Sequence, residues 1–264
     1  MDSISLIRTP IEAELEAFKK LFDSSLSSSN ALLDSVVSHI RQRNGKMMRP
    51  ILVLLVARLY DAVRPSTLHA AVSLELLHTA SLVHDDVVDE STERRGQLSV
   101  NAIFNNKVAV LTGDYLLATS LVHAEQTKSH PIIRLVSLLG QDLADGELLQ
   151  LSNVSNHSFS ESVYFDVIRK KTAALFAACT KAAALSVDAN EEEAEFARLL
   201  GEYIGICFQI KDPCQSGNIQ QMSHIMSTEN PVFFFFINLS AAALIKCVLQ
   251  NLIYTFHSHY KRTI

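Results

Sequence analysis

The sequence contains no tryptophan, and aromatic residues fill only 7% of its 264 positions. Glycine and proline are also scarce, at 8 and 6. A chain that spends so few residues on tight turns is not a hairpin-rich β protein. No alternating apolar and polar run of useful strand length appears in its body, and no internal repeat. Cys179, Cys207, Cys214 and Cys247 form no CxxC pair and have no metal-type spacing. That excludes a cysteine zinc site and a disulfide framework, and the expected compartment is a reducing cytoplasm. The net charge of −5 removes the basic surface that nucleic-acid binders use. The N-terminal stretch MDSISLIRTPIEAELEAFKK is amphipathic and lacks the long apolar core of a signal peptide, so no export is expected.

What remains is 48% hydrophobic and rich in helix formers. Apolar residues recur at helical spacing from Ile11 to Phe22, Ala31 to Ile40 and Ile51 to Tyr60. The same spacing continues over 67–90, 107–125, 131–151, 159–186 and 190–212. Short loops fall at SSSN (27–30), Gly45, Arg64-Pro65, Gly96, His130-Pro131 and SNHS (155–158). The pattern predicts an all-α bundle with its working groups turned into a central cavity.

The character of the chain changes after Asp212. Residues 1–212 hold 20 Lys plus Arg and 27 Asp plus Glu. Residues 213–264 hold only Lys246, Lys261, Arg262 and Glu229. Pro213 disfavours helical geometry at Asp212 and is expected to stop the preceding helix there. The tail carries the 15-residue run PVFFFFINLSAAALI, shorter than the roughly 20 residues that a spanning helix needs. Two regions follow: a helical domain over 1–212 and a divergent apolar tail over 213–264. The expected location is cytoplasmic, with any membrane association through an apolar product or the tail.

The densest chemistry lies in HDDVVDE (84–90). On a helix turning 100° per residue, Asp85 and Asp89 are about 40° apart on one face, and His78 falls within about 20° of Asp85 two turns earlier. Asp86 sits 100° round from Asp85. Two carboxylates so placed repel each other unless a cation lies between them. Hard oxygen donors without a cysteine or histidine set suit Mg²⁺ rather than Zn²⁺, with water and substrate phosphates completing the octahedron. The alternatives are a solvated acidic helix end and an HD-type metal phosphohydrolase built on His84-Asp85, with His39, His69 and His78 as further candidate ligands.

Basic groups stand at separate points in the chain. In NGKMMRP (44–50), Pro50 suits the first turn of a helix, which puts Lys46 and Arg49 just before an N-terminus that favours anions. In ERRG (93–96), Arg94 and Arg95 offer forked donors for phosphate, or pair with Glu90 and Glu93. In KKT (170–172), Lys171 and Thr172 reach toward a phosphate, or Lys171 snorkels at the surface. An acidic pincer with several separated cations in one helical bundle implies metal-bridged diphosphates.

The segments GKMMRP (45–50), ELLHTASLVHDDVVDESTERRG (75–96), VLTGDYLL (110–117), DLADGELLQL (142–151), KKTAALFAAC (170–179) and GEYIGICFQIKD (201–212) together resemble the trans-isoprenyl diphosphate synthases. Within that family they resemble the medium- and long-chain polyprenyl type, such as the octaprenyl diphosphate synthases. The resemblance covers about four fifths of the chain, from near its start to Asp212. It implies an isoprenoid-synthase-like helical bundle around a central cavity, a homodimer, dependence on Mg²⁺, and head-to-tail condensation of isopentenyl diphosphate with an allylic diphosphate such as farnesyl or geranyl diphosphate. No nucleic-acid partner is implied.

By position, Lys46, Arg49, His78 and Arg95 resemble the isopentenyl diphosphate site. Asp85, Asp86 and Asp89 resemble the first aspartate-rich motif, which holds Mg²⁺ on the allylic diphosphate. Arg94, Lys171 and Thr172 resemble contacts to that diphosphate, with Gln209 beside the reacting centre. The catalytic set so implied is Asp85, Asp86, Asp89, Arg94 and Lys171. A terpene cyclase would have no use for Lys46, Arg49 and His78, so chain elongation is the reaction expected. Ala80 and Ser81 lie one turn below the aspartates and leave the cavity open, so the expected product exceeds three isoprene units, with Leu77 and deeper side chains setting its limit.

The resemblance breaks after Gln209. The family's second aspartate-rich motif should follow FQ, but the text reads FQIKDPCQSG. Asp212 remains as a metal ligand candidate, Pro213 stands in place of the next aspartate, and no acid follows until Glu229. The family's later helices are expected to be replaced or truncated, through a truncated, frameshifted or alternatively joined reading frame. Activity of this form is expected to be impaired, and a non-catalytic partner subunit of a prenyl synthase is a second expectation.

Overall fold

The computed structural model of the chain describes residues 7–42, 47–94, 96–155 and 169–215, with the side chains of 153–155, 171 and 209–215 excepted. Nine α-helices lie among the described residues. A 3-10 turn, Thr9–Ile11, leads into α1 (Glu12–Ser25), followed by α2 (Ala31–Gln42), α3 (Met48–Tyr60) and α4 (Pro65–Val88). A short hairpin, β1 (Glu93–Arg94) and β2 (Gln97–Leu98), comes next. Then follow α5 (Val100–Phe104), α6 (Asn106–Gln126), α7 (His130–Ser155), a π-helical turn Arg169–Ala173, α8 (Ala174–Leu185) and α9 (Glu191–Gln215). The all-α expectation holds over these residues. The two-residue hairpin is an addition: Glu93 pairs with Leu98 and Arg94 with Gln97, and the turn closes through Gly96 at φ +77°.

The helix starts follow local chemistry. Asn30 Oδ1 accepts from the N–H groups of Leu32 and Leu33 at 3.0 and 3.2 Å, capping α2. Asn190 and Glu193 cap α9 reciprocally, at 3.0 and 2.9 Å. Pro65 opens α4, where its missing N–H has no intrahelical partner to lose.

Two expectations about helix ends are corrected. α3 begins at Met48, so Arg49 lies inside its first turn rather than before it, while Met47 takes the left-handed conformation at φ 50°. α9 continues to Gln215 instead of stopping at Asp212. Pro213 stands two residues before that end, where its missing N–H costs only the bond to the Gln209 carbonyl. The apolar tail expected over 213–264 lies outside the described residues from 216 onward. No helix among the described residues is long and apolar enough to cross a membrane.

The centre of the bundle is α3, α4 and α8. Every residue of α3 from Pro50 to Ala57 is buried, as is every residue of α8 from Leu175 to Thr180. Such all-round burial belongs to a helix with neighbours on every side. α4 packs along α6 and also meets α1, α3 and α8; α8 packs along α9 and meets α3 and α7. The last turn of α4 emerges from this centre, and it carries the aspartates.

Candidate diphosphate and metal site

Asp85, Asp86 and Asp89 divide by environment. Asp85 is half-buried and Asp89 exposed, one turn apart at the end of α4. Asp89 is the residue that closes the helix, and its N–H donates to the Asp85 carbonyl at 2.8 Å. Asp86 is fully buried, and Arg94 Nε donates to its Oδ1 at 2.5 Å. Arg94 and Asp86, both expected at the ligand, are therefore bonded to one another. The pairing has a physical cause, since a buried carboxylate needs a partner and Arg94 is delivered by the hairpin directly beyond the helix.

The hairpin is itself tied down. Asn101 Nδ2 donates to the carbonyls of Asp86 and Ser91 at 3.2 and 3.1 Å. Ser99 Oγ donates to the Ser91 carbonyl at 2.7 Å, and His39 bonds the Leu98 carbonyl from α2 at 2.8 Å. The strand-and-turn geometry thus holds Arg94 over the helix end.

Beneath it lies a cavity of about 140 Å³, bounded by Phe18 and Phe22 of α1, Ile40 and Arg41 of α2, Met47, and one flank of α4. Glu75, His78 and Thr79 line it from α4, and Arg94 closes its rim. The structure therefore brings His78 and Arg94 to one cavity. Lys46, next to the lining residue Met47, and Arg95 lie outside the described residues. Arg49 reaches α8: its guanidinium carbon sits 5.3 Å from the centroid of the Phe176 ring, a cation–π contact. Cys179 is fully buried on α8, and burial pushes its thiol up to about 12; Arg49 pulls against this and Glu75 adds to it. Such a thiol is inert at neutral pH.

On the far side, the π turn Arg169–Ala173 presents KKT. Lys170 Nζ pairs with Asp145 of α7, and Arg169 Nε lies 3.3 Å from Glu202 of α9. Thr172 is half-buried. The side chains of Lys171, Gln209 and Asp212 lie outside those described. Gly205 fixes the spacing between this turn and α9, because a Cβ there would stand 2.6 Å from Ala173 Cα.

Of the residues expected to govern product length, Leu77 and Ala80 are buried at 3% and 2% exposure. Leu77 faces Gly140 of α7, whose Cβ, if present, would be 4.0 Å from its Cδ1. Ser81 is half-buried, and its hydroxyl donates to the His78 carbonyl at 2.9 Å, so it presents no unsatisfied polar group.

The HD-type reading fails on geometry and on family. His39 is engaged at Leu98, and His69 bonds His123 across α4 and α6 with Nδ1 atoms 3.0 Å apart. His84 turns to α6, 3.3 Å from both the Val110 carbonyl and Asp114 Oδ1. No three His, Cys, Asp or Glu side chains converge as a metal cage among the described residues. Asp85 and Asp89 do fit Mg²⁺, which takes one or two carboxylates and fills its remaining positions with water and phosphate oxygens. Sequence reasoning passed over Asp114 and Asp145. The signal for the first was the isolated glycine in TGDY, since a glycine inside a helix usually has a packing reason.

Residues 30–215 match the polyprenyl synthetase family. A crystal structure of geranylgeranyl pyrophosphate synthase from Bacteroides thetaiotaomicron is 76% identical, with a TM-score of 0.69, over 81% of this chain and 64% of that one. A decaprenyl diphosphate synthase from Rhodobacter capsulatus is 36% identical with a TM-score of 0.76, over 80% of this chain and 65% of that one. The octaprenyl diphosphate synthase of Haemophilus influenzae is 34% identical over 210 residues, 80% of this chain and 64% of the relative. The chain thus spans slightly under two thirds of the length of these relatives. With the bundle, the aspartate-tipped helix and this match in agreement, the chain belongs to the polyprenyl synthetase family.

Proposed function

We propose that the chain condenses isopentenyl diphosphate with an allylic diphosphate to give a polyprenyl diphosphate of geranylgeranyl length or longer. The observation that carries this reading is the order of groups along α4. His78 lines a cavity whose rim is Arg94, and Asp85 follows two turns later, about 10 Å along the helix axis. That spacing accommodates two diphosphates side by side, one held by cations and one facing carboxylates.

In this reading Lys46, Arg49, His78 and Arg95 bind isopentenyl diphosphate. Asp85 and Asp89 would hold Mg²⁺, with Asp212 of α9 as a further candidate ligand and Asp86 held in support by Arg94. When bound, Mg²⁺ stabilises the negative charge that grows on the departing allylic diphosphate. Arg94, Lys171 and Thr172 orient that leaving group, and Gln209 lies beside the reacting carbon. Breakage of the allylic C–O bond leaves a delocalised cation, which the isopentenyl double bond attacks; a proton then leaves to the diphosphate. Leu77, Ala80 and Ser81 line the apolar space that takes the growing chain and excludes water. In this reading, residues 1–212 supply this machinery.

A homodimer would cover Leu111, Leu121 and Val122, which α6 leaves 68%, 43% and 58% exposed. A second reading is a partner subunit with little activity of its own. It draws on Asp212 as the one acid between Gln209 and Glu229, and on a 35% identical relative named heptaprenyl diphosphate synthase component 2, from Geobacillus stearothermophilus.

The test is incubation with Mg²⁺, labelled isopentenyl diphosphate and farnesyl diphosphate. Elongated product on chromatography, lowered about 100-fold or more in Asp85→Asn, is the expected result. No turnover alone, with activation of an added synthase subunit, selects the second reading. Phosphate release without elongation overturns both. In an active chain, Ser81→Phe is expected to shorten the product.

A further inference from the structure

The turn that carries Asp85 and Asp89 ends a long helix, so something must fix its rotation. At 100° per residue the neighbours of Asp85 project to either side of it. On one side Asp86 is fully buried and bonded to Arg94. On the other, His84 lies across α6. Its Nε2 is 3.3 Å from the Val110 carbonyl and 3.3 Å from Asp114 Oδ1. Both partners are acceptors, so Nε2 carries the proton and donates to them.

The seat for this ring is a notch in α6. A Cβ added to Gly113 would stand 2.2, 2.5 and 2.8 Å from three atoms of the His84 ring, and these are its nearest neighbours. Gly113 is buried within a 21-residue helix, where glycine costs about 1 kcal/mol relative to alanine. Its lack of a side chain is what lets the imidazole lie there.

We infer that His84 is a positioning residue: seated in the Gly113 notch and held by Asp114 and the Val110 carbonyl, it fixes the orientation of Asp85 and Asp89 toward the cation of the proposed site. The inference rests on that metal-site reading. His84 and Asp86 are the two pins, one in α6 and one in the hairpin, and Asp85 stands between them.

The notch supplies its own test, because Gly113→Ala displaces the ring without removing it. The clash is with the end of a side chain, so the ring swings away and both helices stay in place. The probe is Mn²⁺ with inorganic diphosphate, its affinity read from the paramagnetic resonance of the free ion, alongside the melting temperature. His84→Ala is expected to weaken Mn²⁺ binding about tenfold with the fold retained. Gly113→Ala is expected to weaken it to a similar degree. The double variant should bind no more weakly than His84→Ala alone, since without the ring the new methyl meets nothing. Wild-type affinity in folded His84→Ala, or effects that multiply in the double variant, would overturn the inference. If the wild-type chain binds no Mn²⁺, the metal-site reading fails and the inference fails with it.

Discussion

Helices α4 and α6 are joined by polar rungs along their length, whereas α8 and α9, beyond the pairing of Lys181 with Glu191 and Glu195, approach through glycine. Along α4 and α6 the rungs are His69 with His123, Ser73 with Ser120 at 3.3 Å, and His84 with Asp114. Between α8 and α9, a Cβ on Gly201 would stand 2.2 Å from Thr180 Oγ1, 2.4 Å from the Phe176 carbonyl and 2.8 Å from Ala177 Cα. Directional bonds set how one helix slides and rotates against another. Bare glycine contact sets only how close they come. The polar seam ends at the aspartate turn, where rotation matters, and the glycine seam leads toward Gln209 and Asp212, where reach across the bundle matters.

Arg94→Ala should have the largest effect at the working end of α4. It leaves the fully buried Asp86 carboxylate without its guanidinium, and about 3 kcal/mol should be lost in chemical denaturation. A loss below about 0.5 kcal/mol would place the pair among ordinary surface ion pairs and remove one of the two pins.

Alanine at the two seams should come next and should separate them. Gly201→Ala drives a methyl into backbone and is expected to cost about 1–3 kcal/mol, as overpacking does. Gly113→Ala meets only the His84 ring, so its stability should stay within about 1 kcal/mol of wild type. Equal losses in thermal or urea melts would erase the distinction between the seams.

Acid in the histidine range should weaken the polar seam. His69 and His123 both have lowered pKa values, first through burial and then through the charge of Lys128 on His69 and of His69 on His123. Their neutral forms are favoured in the fold, and the Nδ1 to Nδ1 bond needs one unprotonated acceptor. The unfolded chain therefore binds more protons below its ordinary histidine pKa of about 6.5, so stability falls as pH drops through that value and on toward the lowered ones. The melting temperature should decline across this window, and His123→Gln should flatten the decline. Replacing Ser73 and Ser120 together by alanine should have the smallest effect, within about 1 kcal/mol, because both members of the bond leave at once.

Much of the helical frame was legible from apolar spacing, because helical periodicity is local. The Asp85 and Asp89 pair was legible for the same reason. Pro213 misled, since a proline's cost depends on how near the helix end it falls, and that end lies at Gln215. His84 enters the HD-type alternative as half of a metal dyad, and adjacency in sequence says nothing of the helix it will face. Arg94 is expected to clamp phosphate or to pair with Glu90 and Glu93, but the hairpin returns it to Asp86, eight residues earlier.

By itself the sequence determined the helix content, the one-turn spacing of Asp85 and Asp89, and the family, each of which depends on residues close along the chain or on their order. Only the tertiary structure decided which group each charge meets: Arg94 meets Asp86, Lys170 meets Asp145, and Arg49 meets Phe176. Those pairings join elements up to 127 positions apart, as Arg49 and Phe176 are. Burial and helix crossing select them, and neither has a local signature.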